Sequence, residues 1–149
     1  MLDDLGVIPA LRELCNHIQH QTGMEIHLFT RAVPDRLHPE IELALYRIAQ
    51  EALTNAVRHS NAAEVFVSLV RREGHILLSV EDTGKGFDAH GPTGRPGRTE
   101  GLGLMIMEER AILLGGRFHM ESRAGEGTHI WADFPCTHPD APDPEKEAT

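Results

Sequence analysis

The sequence predicts a two-layer α/β sandwich, with a mixed, mostly antiparallel sheet covered on one face by about three helices. Two observations predict it. Stretches with helical apolar spacing alternate with strand-like stretches, in the order helix, strand, helix, strand, strand, loop, helix, strand, strand. The last four strands also fall into two pairs, each joined by a short glycine-containing turn, so hairpins supply antiparallel pairing and helices must cover it. At 149 residues the chain suits one domain around one such core.

The elements follow in order. Leu5, Ile8, Leu11, Leu14, Cys15 and Ile18 recur at helical spacing, and Gly23 is the expected stop. EIHLFT reads as a short strand that ends before Pro34. Pro39 opens a second helix to about Ser60, with Ile41, Leu45, Ile48, Ala49, Ala52 and Ala56 as its apolar stripe. EVFVSLVRR and HILLSVED form a hairpin through Glu73-Gly74. Residues 85–101 are rich in Gly, Pro and charge and read as a long mobile loop. A third helix runs from about Gly103 to Leu114 and stops at Gly115-Gly116. GRFHMESR and THIWADFP flank the turn AGEG.

Composition narrows the function classes. The net charge is −9 and no basic stripe is visible, which argues against direct nucleic-acid binding. Residues 137–149, with Asp140, Asp143, Glu145 and Glu147 against Lys146 and three prolines, read as a disordered acidic tail. Cys15 and Cys136 are far apart, which fits free thiols in a reducing cytoplasm. The ten histidines are scattered without an HExxH or CxxC pattern, so no structural zinc site is expected. There is no signal peptide and no apolar run of membrane-spanning length.

Three groups of residues do not belong to a core. Glu51, Asn55 and His59 are spaced four apart and lie along one face of the second helix, with Arg58 beside them. Most such stripes are solvated faces, but Asn has poor helix propensity and no cap to make in mid-helix. An amide oxygen suits Mg²⁺, a carboxylate one turn away could act as a base, and an arginine suits a phosphate. EDTGKGFD ends an apolar strand in an acid and then two glycines a residue apart, more than a hairpin needs. Either that loop is merely flexible or backbone approaches something closely there. EGLGL, at residues 100–104, opens a helix whose N-terminal amides could hold an anion. Walker A and GxGxxG patterns are both absent, so a nucleotide site here is neither P-loop nor Rossmann.

ALYRIAQEALTNAVRHS, EDTGKGF, GLGLMIMEERAILLGG and SRAGEGTHIWADFP, in that order, resemble the catalytic ATP-binding domain of sensor histidine kinases. Those domains belong to the Bergerat-fold superfamily, with gyrase and MutL. The likeness covers about residues 38–135, and MLDDLGVIPALRELCNHIQHQTG resembles the segment that follows the phosphoacceptor helices in the nitrate-sensor-like subclass. The resemblance implies that Asp82 accepts a hydrogen bond from the adenine amine, supported by the Thr128 hydroxyl. It implies Asn55 as the Mg²⁺ ligand and Glu51 as the catalytic base. Arg58 and His59 would contact nucleotide, Gly84 and Gly86 would let the loop lie against it, and Gly101, Gly103 and Leu104 would form the phosphate-side turn. Residues 1–136 would then be a single ATP-binding catalytic domain, with residues 85–100 its ATP lid.

The same resemblance implies partners. Residues 1–23 would continue from a phosphoacceptor (dimerisation) domain of the parent chain, whose histidine receives the γ-phosphoryl group. The parent would be a homodimer, and could be anchored in the plasma membrane, while the isolated domain would be a monomer. A response regulator with a helix-turn-helix output would follow downstream. His17 and His20 lack the adjacent acid of the family's acceptor motif and read as surface residues. Two other readings stand beside this one: an anti-sigma-factor-type serine kinase of the same superfamily, and a non-enzymatic nucleotide-sensing module. A gyrase- or MutL-like ATPase would need a further transducer domain.

Overall fold

A computed structural model of the chain describes residues 5–60, 63–83, 102–123 and 125–136, with backbone alone at His59, Ser60, Leu102 and Arg123. The elements are α1 (Val7–Thr22), β1 (Glu25–Arg31), α2 (Pro39–Asn55), a π turn (Ala56–Ser60), β2 (Glu64–Arg72), β3 (His75–Asp82), α3 (Leu102–Leu113), β4 (Arg117–Arg123) and β5 (Gly127–Pro135). Local chemistry sets the ends. The Gly23 N–H bonds the Gln19 carbonyl at 2.9 Å and closes α1. His38 caps α2, its Nδ1 accepting from the Glu40 N–H at 3.2 Å, and Pro39 occupies the first turn, where no N–H is needed. At the end of α3 the Gly116 N–H reaches back to the Ala111 carbonyl at 2.8 Å.

The five strands form one sheet in the order β1-β2-β3-β5-β4. β1 and β2 are parallel, as a crossover through α2 requires, and the other pairs are antiparallel. Alternation sorts the side chains. Val65, Val67, Leu69, Ile76, Leu78, Val80, Ile130, Ala132 and Phe134 are buried on one sheet face, in the same core as Leu11 of α1, Leu45, Ile48 and Leu53 of α2, and Ala111 of α3. The opposite face carries Phe29, Phe66 and Leu77 exposed. The expected two-layer, mostly antiparallel architecture is therefore the one observed.

The second helix differs from expectation. It is α-helical only to Asn55 and continues as a π turn to Ser60. The Ala56 N–H, shared between the Ala52 and Leu53 carbonyls, marks the change of ladder. A π turn adds residues per turn, so the four-residue spacing that aligns Glu51 with Asn55 does not carry over unchanged to His59.

The loop between β1 and α2 is held by a residue the apolar stripe does not announce. Glu42, 2% exposed, accepts from the Arg36 guanidinium at 3.1 and 3.3 Å and from the Leu37 N–H at 3.2 Å. Glu42→Ala would strand the buried Leu37 N–H, while the half-exposed Arg36 finds water. The expected loss is roughly 1–3 kcal/mol of stability, read by urea unfolding, with Glu42→Gln losing less because its amide oxygen still accepts.

Candidate functional site

The helix-covered face of the sheet is apolar except at one end. After Ile76, Leu78 and Val80, the next β3 residue on that face is Asp82, 7% exposed. The strand register sets Thr128 of β5 opposite Asp82, and Ser122 of β4 opposite Thr128. One row across three strands thus holds a carboxylate and two hydroxyls. Thr128 is 9% exposed. The Ser122 hydroxyl lies 2.8 Å from Thr128 Oγ1 and 3.4 Å from the Gly127 carbonyl oxygen. Burying polar groups costs stability unless they are hydrogen-bonded, and among the described residues no buried side-chain N or O lacks a partner.

Gly127 sets the spacing of that row. Its φ is +82°, and a Cβ there would overlap the backbone carbonyl of Asp82. A cleft of about 400 Å³ opens at these strand ends, lined by Asp82, Ser122, Gly127 and Thr128 together with Glu81 and His129. His129 points to the open face, where its Nε2 lies 2.8 Å from the Ser79 hydroxyl and its ring packs on Trp131 at 3.6 Å. Burial pushes its pKa down, against the opposing pull of Glu81 and Glu121.

The second part of the site comes from the helices. Glu51 and Asn55 are half-buried at the C-terminal end of α2, and Arg58 is exposed in the π turn, which packs against β5. The first turn of α3 meets α2 at Gly103, where a Cβ would overlap the Glu51 carboxylate. Leu104 is buried in the core just beyond. The structure thus pairs Asp82 with Thr128 across β3 and β5, and Glu51 with Gly103 across α2 and α3. Gly84, Gly86, Gly101, the segment 85–100 and the tail 137–149 lie outside the described residues, as does the side chain of His59.

Sequence reasoning missed Ser122 and Gly127. The signal was present in SRAGEGT: a serine six residues before a threonine, across a glycine turn, must face it when the two strands pair. Among the described residues a separate group of metal-type donors, Glu25, His27 and Glu64, sits on the open face, with His27 Nε2 3.1 Å from Glu64 and 3.7 Å from Glu25. All three are well solvated, and such ion pairs contribute little.

A buried carboxylate–hydroxyl row at the end of a mixed sheet, beneath a helix carrying Glu and Asn one turn apart, defines an ATP-binding α/β module that uses neither a P-loop nor a Rossmann turn. The model of the histidine kinase-, DNA gyrase B-, and HSP90-like ATPase family matches residues 40–138, and the chain belongs to that family. It is 36% identical over 139 residues to the signal transduction histidine-protein kinase/phosphatase DegS of Bacillus subtilis (strain 168), covering 91% of this chain and 36% of the relative. It is 39% identical over 135 residues to the sensor histidine kinase MctS of Rhizobium johnstonii, covering 91% of this chain and 29% of the relative. The chain thus spans about a third of these curated relatives. Among solved structures it resembles full-length ShkA in complex with AMPPNP, with a TM-score of 0.69, 26% identity, and 91% of this chain and 31% of that one covered. It also resembles the histidine kinase domain of the Erythrobacter litoralis EL346 blue-light activated histidine kinase, with a TM-score of 0.64, 25% identity, and 85% and 59% covered. Among the described residues no helix is long and apolar enough to cross a membrane.

Proposed function

We propose that this chain binds ATP with Mg²⁺ and transfers the γ-phosphoryl group to a histidine on a phosphoacceptor domain, as part of a two-component pathway that ends in a response regulator. The observation that carries the reading is the buried Asp82–Thr128 pair on an otherwise apolar sheet face. A buried carboxylate accepts from the adenine exocyclic amine and meets guanine's oxygen at the same position with repulsion, so it selects adenine. Gly84 and Gly86 follow Asp82 directly and would lie along the base and ribose. Arg58 and His59 would face the nucleotide from the π turn, and Gly101, Gly103 and Leu104 would frame the phosphate side at the start of α3.

The donor set fits Mg²⁺. Asn55 offers one neutral oxygen, and this ion is commonly held by few protein oxygens together with phosphates and water. When bound it would neutralise charge on the transferring phosphoryl group. Glu51, one turn before Asn55, would accept the proton of the attacking imidazole.

The test is to supply a phosphoacceptor helical hairpin to this chain with ATP and Mg²⁺. Acid-labile phosphate is expected on the hairpin's histidine. Asn55→Ala should lose that labelling at limiting Mg²⁺ while metal-free nucleotide binding persists. Acid-stable label on serine, or wild-type transfer by Asn55→Ala, would overturn the assignment. His17 and His20 are exposed on α1 and are not expected to take label.

A further inference from the structure

The Asp82 row continues one strand beyond the two residues assigned to the base. Ser122 sits opposite Thr128, and their hydroxyls are 2.8 Å apart, hydrogen-bond distance for two oxygens. A hydroxyl has one proton and two lone pairs. The Ser122 proton has two acceptors in reach, Thr128 Oγ1 at 2.8 Å and the Gly127 carbonyl at 3.4 Å, and the nearer makes the stronger bond. With Ser122 donating, one lone pair of Thr128 is taken and its own proton is left to point out of the row.

Direction matters because the adenine edge is a donor beside an acceptor: the amine donates and N1 accepts. The Asp82 carboxylate can only accept, so it reads the amine. A ring nitrogen that accepts needs a donor, and a hypoxanthine ring presents the opposite pair, an oxygen that accepts and an N1–H that donates. We infer that Ser122 is a positioning residue for base recognition, which orients the Thr128 hydroxyl as a donor toward the acceptor nitrogen of an adenine ring. The inference rests on the ATP reading above and adds a residue to it. Ser122 touches Thr128 rather than the ligand. Its effect is to spare Thr128 the choice between donating and accepting, which a free rotor would make differently for each base. Gly127 supports the arrangement: with no Cβ, it lets β5 close on the Asp82 carbonyl and keeps all three strands in register.

The experiment is a calorimetric titration of ATP, inosine triphosphate and purine riboside triphosphate, which keeps the acceptor nitrogen but lacks the amine. Ser122→Ala should weaken ATP and purine riboside triphosphate alike, by about fivefold. It should leave inosine triphosphate unchanged or slightly tighter, so the preference for ATP narrows. A merely structural loss would weaken all three together. Ser122→Thr, which keeps the hydroxyl on a β-branched side chain suited to a strand, should restore the wild-type preference. Ser122→Cys keeps the volume with a weak donor and should behave as Ser122→Ala even if alanine perturbs folding. Unchanged preference in both Ser122→Ala and Ser122→Cys, or equal weakening of all three nucleotides, overturns the inference while leaving the ATP reading intact. If the unaltered protein binds no nucleotide, the ATP reading itself fails and this inference falls with it.

Discussion

Alanine at position 103 is expected to abolish phosphoryl transfer while ATP binding survives. The added Cβ would overlap the Glu51 carboxylate, at Oε1 and the carbon that bears it. Neither backbone can yield easily, because α2 and α3 are packed on the same sheet and Leu104, the next residue, is buried in the core. The flexible partner is the Glu51 side chain, so the carboxylate must swing away. A positioned general base contributes on the order of 10²–10⁴-fold, and a loss in that range is expected in the initial rate of acceptor labelling. The alternative role of Gly103, close approach of backbone to phosphate, would instead lower ATP affinity. Calorimetry and labelling on the same variant separate the two. If displacement of Glu51 is the cause, Gly103→Ala combined with Glu51→Ala should be no slower than Glu51→Ala alone. A clearly slower double variant would assign Gly103 a role of its own.

Asp82→Ala should cost most of the ATP affinity. The carboxylate is buried in a row with no exposed substitute, so water refills its place poorly. Losing a hydrogen bond to a charged group costs roughly 1.5–3 kcal/mol, which corresponds to a fall in affinity of about 10- to 150-fold. Asp82→Asn keeps a carbonyl oxygen and should lose less. Purine riboside triphosphate, without the amine, should bind the wild type and Asp82→Ala more nearly equally. Wild-type ATP affinity in Asp82→Ala would remove Asp82 from the site.

Much of this was legible from the chain alone, because it depends on periods. Alternation in HILLSVED puts Asp82 on the same side as Ile76, Leu78 and Val80 whatever the strand later pairs with. Spacing in AQEALTN puts Glu51 and Asn55 on one helical face. The glycines of EGLGL and AGEG mark where backbone must come close or turn. Such features are local, set within a turn or two of chain, and they fixed the fold class and most candidate site residues.

What only the tertiary structure decided depends on which elements become neighbours. Strand order β3-β5-β4 is a long-range outcome, and it makes Ser122, Thr128 and Asp82 one row. The contact of Gly103 with Glu51 joins residues about fifty positions apart, so no local pattern could announce it. Glu42 reads as an ordinary acid in a helix's first turn until Arg36 and the Leu37 N–H converge on it. The change from α to π at Ala56 is invisible to a periodic pattern, because residues 51–60 look equally helical until the turn is packed against β5. Periodicity determines which way a side chain faces; only packing determines what it meets there.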